Sequence, residues 1–298
     1  MNALNYTRGW MNGLLDEWII HLSTQGEFKN GAGTASSPRF DSSTAFCEHE
    51  PRPCSRTVLN SPFYPPIQLF IMKKRLKFAT DAERFVWIRE HLYVPAVCDV
   101  LDSLGCRDRA MHQRLRPLDP EDCVIIGRAR TFRWMDTDYV DKKDPYGLEI
   151  AAMDALGPGD VAVHSTDAAG TNAPWGELMS TVAKRNGAAG CICDSNIRDC
   201  RKIMAMKFPV FCAGIRPLDS MGRGRVMAYD VPVRCGEVLV QPGELVFADF
   251  DGVVVVPRAL EDEALARAHE KVTKENHSRR DLLRGDTLRA VFDRHGVL

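Results

Sequence analysis

Glu177 and the adjacent pair Arg198-Asp199 are separated by the twenty residues 178 to 197. A carboxylate can hold a hard cation or orient a water, and a guanidinium can hold an oxyanion. The chain between them, WGELMSTVAKRNGAAGCICDSNIRD from Trp175, predicts how these groups meet. A helix starts at Glu177, a short apolar strand covers Gly190-Cys191-Ile192-Cys193, and Asp194 to Ile197 form a turn. Arg198 and Asp199 then enter a second helix with side chains about 100° apart. A helix start exposes unpaired N–H groups and a partial positive charge, so it attracts anions. Gly176 lets a ligand approach the backbone, which makes the amides of Leu178 and Met179 candidates for holding a carboxylate. The same residues also have a plain structural reading. Acids in a first turn serve as dipole partners, and Arg-Asp pairs occur as solvated surface. Local chemistry alone does not choose between the two.

The elements that must position these groups are legible from about Thr80. Thr80 or Asp81 can cap a helix whose Phe85, Trp87, Ile88 and Leu92 recur at helical spacing. Pro95 opens a second helix with a stripe of Val97, Val100, Leu101 and Leu104, and Gly105 stops it. CVIIGRARTF predicts a strand, GLEIAAMDAL a short helix, DVAVHS a strand and PVFCAGI another. PVRCGEVLVQPGELVFADFDGVVVVP predicts several short strands joined by Gly and Asp-Gly turns, with Val253 to Val256 buried on both faces. A charged helix from about Leu260 to Leu283 and a short one from Asp286 to His295 close the chain. Helices before, within and after a set of strands predict a layered α/β domain.

Residues 1 to 71 differ in character. A stretch with an amphipathic pattern (Trp10, Leu14, Trp18) runs into GAGTASSPRF and then a segment punctuated by Pro51, Pro53, Pro62, Pro65 and Pro66. This predicts a poorly ordered extension, with residues 72–298 as the folded domain and Met72 as a natural first residue. The composition over 298 residues, 45% hydrophobic and 27% charged with a net charge of −1, is globular and offers no surface for nucleic acid or membrane. The ten cysteines are scattered through apolar runs, and no 18-residue apolar segment or secretory pattern occurs. The expectation is a soluble, cytoplasmic protein with reduced thiols and a small-molecule partner.

With the acid, the twenty-residue gap and Arg-Asp in place, the sequence resembles the 4-hydroxy-4-methyl-2-oxoglutarate aldolases and their relatives, which include the regulator of ribonuclease E activity. VPAVCDVLDSLG, IIGRARTF, LGPGDVAVHS, FPVFCAGI and PGELVFADFDGVVVVP look like family segments in family order, from about Phe78 onward. The resemblance implies an α/β/β/α sandwich, a homotrimer or a dimer of trimers, and a pocket between subunits. It also implies a divalent-metal aldolase using Mg2+ or Mn2+, with oxaloacetate decarboxylation as a side activity. In that scheme Asp199 ligates the metal, Glu177 acts through water on the metal, Arg198 binds the enolate oxygen, and Gly176, Leu178 and Met179 hold the pyruvyl carboxylate. A neighbouring subunit completes the site with an acid, for which Glu270 and Glu275 are candidates. One departure is Asp194-Ser195, where many relatives have Gly after the aspartate. A non-catalytic binding or regulatory protein is the alternative function.

Other chemistry-bearing residues have simpler explanations. Cys191 and Cys193 share a strand face near Cys200, but no second CxxC or paired histidines accompany them, so buried thiols are expected rather than a soft-metal site. His164 at a strand end is expected to be structural, and His269 and His277 to lie on a solvated helix face. Asp167 and Asn172 either line the pocket or form turns.

Overall fold

The computed structural model describes residues 76–166 and 172–297. The expected extension and the start at Met72 therefore lie outside the described residues. Helix α1 (Asp81–His91) begins as its sequence directs. Thr80 Oγ1 accepts from the Glu83 N–H at 3.2 Å, and the Glu83 carboxylate accepts from the Ala79 N–H at 2.9 Å. Helix α2 (Val94–Ser103) has Pro95 in its first turn, and just past its Leu104 cap stands Gly105, whose φ of 83° suits glycine.

The strands are β1 (Arg116–Pro117), β2 (Ile125–Asp136), β3 (Asp160–Ser165), β4 (Gly190–Ile197), β5 (Val210–Ile215), β6 (Gly224–Tyr229), β7 (Val233–Cys235), β8 (Val238–Val240), β9 (Leu245–Asp249) and β10 (Gly252–Val256). The helices after α2 are α3 (Leu148–Asp154), α4 (Glu177–Arg185), α5 (Cys200–Ala205), α6 (Glu261–Leu283) and α7 (Leu288–His295). The main sheet runs β1-β5-β4-β3-β2-β9-β10, with β2 to β5 parallel. Strand β2 is long enough to serve two partners. Ile125 to Arg128 pair with β9, and Phe132 to Asp136 pair with β6. The segment before β2 ties the two sheet edges together. Its residues 109–111 bond β10, and β1 pairs with β5, which brings the sheet close to a barrel.

Strand periodicity divides the core into three layers of contact. Ile125, Val161, Val163, Ile192, Phe211, Val246 and Val255 point inward toward the β7–β8 hairpin. Phe132, Trp134, Ala162, Cys191 and Cys193 face α3, α4 and α5 on one side. Ile126, Leu245, Phe247, Val254 and Val256 face α1, α2 and α6 on the other. The result is the expected α/β/β/α sandwich. Val253 to Val256 are at most 3% exposed, as their unbroken apolar run predicts. Helix α7 is fastened to α6 by the buried Asp281 carboxylate, which meets Arg284, Arg294 and His295. These partners hold its carboxyl well below the usual carboxylate range.

Candidate active site

The parallel strands deliver their C-terminal ends to one edge, and there β4 meets the start of α4. Trp175 bridges Ile197, and the Arg198 N–H donates to the Trp175 carbonyl at 2.9 Å. Trp175 is fully buried; its indole Nε1 donates to Ser180 Oγ at 2.7 Å, and Ser180 Oγ donates to the Gly176 carbonyl at 3.0 Å. The first turn of α4 is therefore locked to the core. Its leading amide, Glu177 N–H, donates to Asp199 Oδ2 at 3.3 Å. The next amides, those of Leu178 and Met179, precede the first intrahelical donor, Ser180 N–H to the Gly176 carbonyl.

Two details of the expected local structure change. Asp194 to Ile197 are not a turn: β4 continues through Ile197, with an irregular register between Cys193 and Asn196. Arg198 and Asp199 do not enter the helix, because α5 starts at Cys200 and Asp199 caps it with φ 58°. That left-handed kink, which a short acidic side chain tolerates, replaces the 100° helical step. It places Asp199 against the leading amide of α4, that of Glu177, while Arg198 stands beside it. Gly176 makes the meeting possible: a Cβ there would lie 2.9 Å from Asp199 Oδ2, 3.2 Å from Arg198 Cγ and 3.4 Å from Arg198 Nε.

Asp194 and Ser195 explain how the preceding loop is held. Asp194, 4% exposed, accepts from both the N–H and the Oγ1 of Thr166 at 2.9 Å. Ser195 Oγ and Asn196 Nδ2 each donate to the Asn172 carbonyl at 3.3 Å. The two flanks of residues 167–171 are thus pinned to β4, and Ser195 provides one of the pins. Asp167 lies outside the described residues, and Asn172 is buried.

The electrostatics are those of a cation between acids. Arg198 Nε is 3.8 Å from Asp199 Oδ2, and Arg198 Nη2 is 3.4 Å from Asp219 Oδ1. Glu177 accepts from Thr181 Oγ1 at 3.2 Å and stands 3.9 Å from Lys202 Nζ. Asp219, Tyr146 and Glu149 escaped sequence reasoning. The Tyr146 hydroxyl donates to Asp219 Oδ2 at 3.4 Å. Glu149 is 3% exposed, and burial, reinforced by the charge of Asp219, pushes its pKa up to about 8. Its signal was available: Glu149, Ala152, Met153 and Leu156 lie at helical spacing on one buried face, so an acid occupies the apolar stripe.

The remaining candidates sort cleanly. His164 is buried, accepts from Trp134 Nε1 at 2.9 Å through Nδ1, and stacks on Phe132; burial lowers its pKa to about 3, so it is neutral and structural. Cys191 and Cys193 are buried thiols whose pKa values burial raises well above the ordinary range. His269 is not simply solvated, since it packs against Trp87 and His91, and His277 lies against His295. Glu275 is engaged within its own chain by the Tyr93 hydroxyl and, at 3.0 Å, by Lys271. Glu270 is exposed.

Among the described residues no group of three or more His, Cys, Asp or Glu gathers as a metal centre. A small hard cation needs less, since magnesium is commonly held by one or two carboxylates with water and substrate completing its shell. Asp199 with Glu177 nearby fits that donor set. The side chain of Asp199 is 42% exposed at the open edge of the sheet.

An α/β/β/α sandwich brings a helix start, an arginine and two carboxylates together at its strand ends. Residues 94–255 match the RraA-like family, described as Aldolase/RraA, and the chain belongs to it. It is 33% identical over 187 residues to a protein of Halalkalibacterium halodurans named "Putative 4-hydroxy-4-methyl-2-oxoglutarate aldolase", covering 62% of this chain and 83% of that one. Among solved structures, Streptomyces coelicolor RraAS2, described as an unusual member of the RNase ES inhibitor RraA protein family, is 31% identical with a TM-score of 0.59. That match covers 66% of this chain and 96% of the other. An uncharacterised protein of Pseudomonas syringae pv. tomato is 26% identical with a TM-score of 0.61, over 70% of this chain and 96% of its own. No helix among the described residues is long and apolar enough to cross a membrane.

Proposed function

We propose that the chain is a divalent-metal-dependent aldolase that cleaves a 4-hydroxy-2-oxo acid, such as 4-hydroxy-4-methyl-2-oxoglutarate, and releases pyruvate. Oxaloacetate decarboxylation is the expected side activity, because both reactions leave a pyruvate enolate. The observation that carries the proposal is the convergence of Arg198, Asp199 and the first turn of α4 across the bare Gly176. The names of the aldolase relatives support it.

The pyruvyl carboxylate binds the free amides of Leu178 and Met179, where the helix dipole favours an anion. Arg198 faces the keto oxygen and stabilises the negative charge that develops on it as the carbon–carbon bond breaks. Glu177 orients the water that takes the proton from the 4-hydroxyl. Asp199 would hold Mg2+ or Mn2+, which supplies Lewis-acid polarisation of the oxo acid when bound.

A homotrimer or dimer of trimers is the proposed assembly. Met135, Leu148 and Met227 are between 42% and 49% exposed around one cleft, an apolar surface that a second copy would cover. A non-catalytic regulator is the competing function, favoured by the description of the Streptomyces coelicolor relative. Turnover separates the two. The protein with magnesium is expected to release pyruvate from at least one member of a panel of 4-hydroxy-2-oxo acids or from oxaloacetate, and to stop on chelation. Arg198→Ala is expected to lower kcat by about 100-fold or more, the scale of a lost preorganised donor. A wild-type protein inert on the whole panel would leave the regulator as the surviving function.

A further inference from the structure

Arg198 is a long, flexible side chain, 36% exposed, and its usefulness depends on where its guanidinium is held. Of its two acidic neighbours, Asp199 is committed elsewhere: its carboxylate accepts from the Glu177 N–H and in the proposed function holds the metal. Asp219 has no such second duty. It comes from the loop between β5 and β6, and both of its oxygens are fixed. Oδ1 accepts from the Ser220 N–H at 2.8 Å and faces Arg198 Nη2, while Oδ2 accepts from the Tyr146 hydroxyl at 3.4 Å.

The backbone beneath this carboxylate is also fixed. The Arg223 and Gly224 N–H groups donate to the Ser220 carbonyl at 2.9 and 2.8 Å, and Arg223 Nη1 donates to the Asp219 carbonyl at 3.3 Å. Ser220 is itself buried. Such scaffolding is excessive for an ordinary surface ion pair, which gains little from rigid geometry. It suits a group whose task is to aim another.

We propose that Asp219, braced by Tyr146 and the Ser220 turn, is the positioning residue that holds the Arg198 guanidinium in the orientation needed to meet the enolate oxygen. Arg198 is thereby gripped at its Nη2 end by a dedicated carboxylate. Its remaining donors stay available at the bare face of Gly176. This inference rests on the aldolase function only for its consequence on turnover; the holding of Arg198 can be measured without any reaction.

The test uses the full chain and three variants, Asp219→Asn, Asp219→Glu and Tyr146→Phe. The first readout is the rate at which phenylglyoxal modifies Arg198, followed by peptide mass spectrometry. Asp219→Asn is expected to raise that rate several-fold and Asp219→Glu to return it toward the wild-type value, with unchanged melting temperature in both. The second readout, on whichever oxo acid the wild-type protein cleaves, is a fall in kcat of about 10- to 100-fold for Asp219→Asn with little change in KM, and a smaller fall for Tyr146→Phe. Unchanged Arg198 reactivity in Asp219→Asn would overturn the proposal. So would a loss that Asp219→Glu fails to relieve, or one that tracks the melting temperature. A wild-type protein without turnover would sink the aldolase function alone, because the phenylglyoxal rates would still decide what Asp219 does.

Discussion

Glu149→Gln is the perturbation whose size the structure fixes best. The Glu149 carboxyl is 3% exposed; burial raises its pKa from 4.5 to about 8, the charge of Asp219 adds to the rise, and the Ser220 hydrogen bond and Arg198 oppose it. In the unfolded chain the group titrates near its ordinary value, so between about pH 4.5 and pH 8 the folded protein binds a proton that the unfolded chain has released. Stability from this group is fully present below pH 4.5, declines as pH rises, and is gone above pH 8. A tenfold difference in proton affinity between the folded and unfolded chains is worth about 1.36 kcal/mol, so the whole decline is on the order of 3 to 5 kcal/mol. Glutamine has nearly the same shape, stays neutral, and removes the proton dependence. Urea unfolding at fixed protein concentration from pH 5 to pH 9 is the assay. The variant and the wild-type protein are expected to lie within about 1 kcal/mol at pH 5, and to diverge as pH rises, with the variant the more stable by a few kcal/mol at pH 9. Parallel stability curves across that range would refute the buried, protonated state of Glu149.

Gly176→Ala is expected to lower turnover while the melting temperature changes little, because the new Cβ would displace the Asp199 carboxylate (Oδ2 at 2.9 Å) and the Arg198 side chain (Cγ at 3.2 Å) at the site rather than anything in the core. Steady-state kinetics beside a thermal melt check it; a variant with full activity would remove the close approach from the mechanism. Phe211→Ala deletes a fully buried ring from the interior between the sheet and the β7–β8 hairpin, and is expected to cost about 3 to 5 kcal/mol by chemical denaturation. A cost below about 1 kcal/mol would mean that this interior is loosely packed.

Much of the framework was legible in the chain because local rules and tertiary burial agree there. Thr80 caps α1, Pro95 and Gly105 bracket α2, and the unbroken apolar run of Val253 to Val256 marks a strand buried on both faces. The stretch that holds Glu177 and Arg198-Asp199 does bring the α4 start against the end of β4. Where the expectation failed, a non-local contact had outvoted a local preference. Asp-Ser-Asn is turn-forming text, yet β5 and the Asn172 backbone keep it in β4. The helical step expected between Arg198 and Asp199 gave way to a left-handed residue because Asp199 is drawn to the amide of Glu177.

The sequence by itself determined where the acids, the arginine and the start of α4 lie along the chain, since residue type, spacing and helix polarity are properties of the chain. What holds Arg198 was decided only by the fold. Tyr146, Glu149 and Asp219 come from other segments of the chain, and they share a site because the start of α3, the end of β4 and the loop after β5 meet there. A charge's partners and its degree of burial depend on what surrounds it in three dimensions. For that reason the raised pKa of Glu149 and the pairing of Arg198 with Asp219 appear only once the strands are in place.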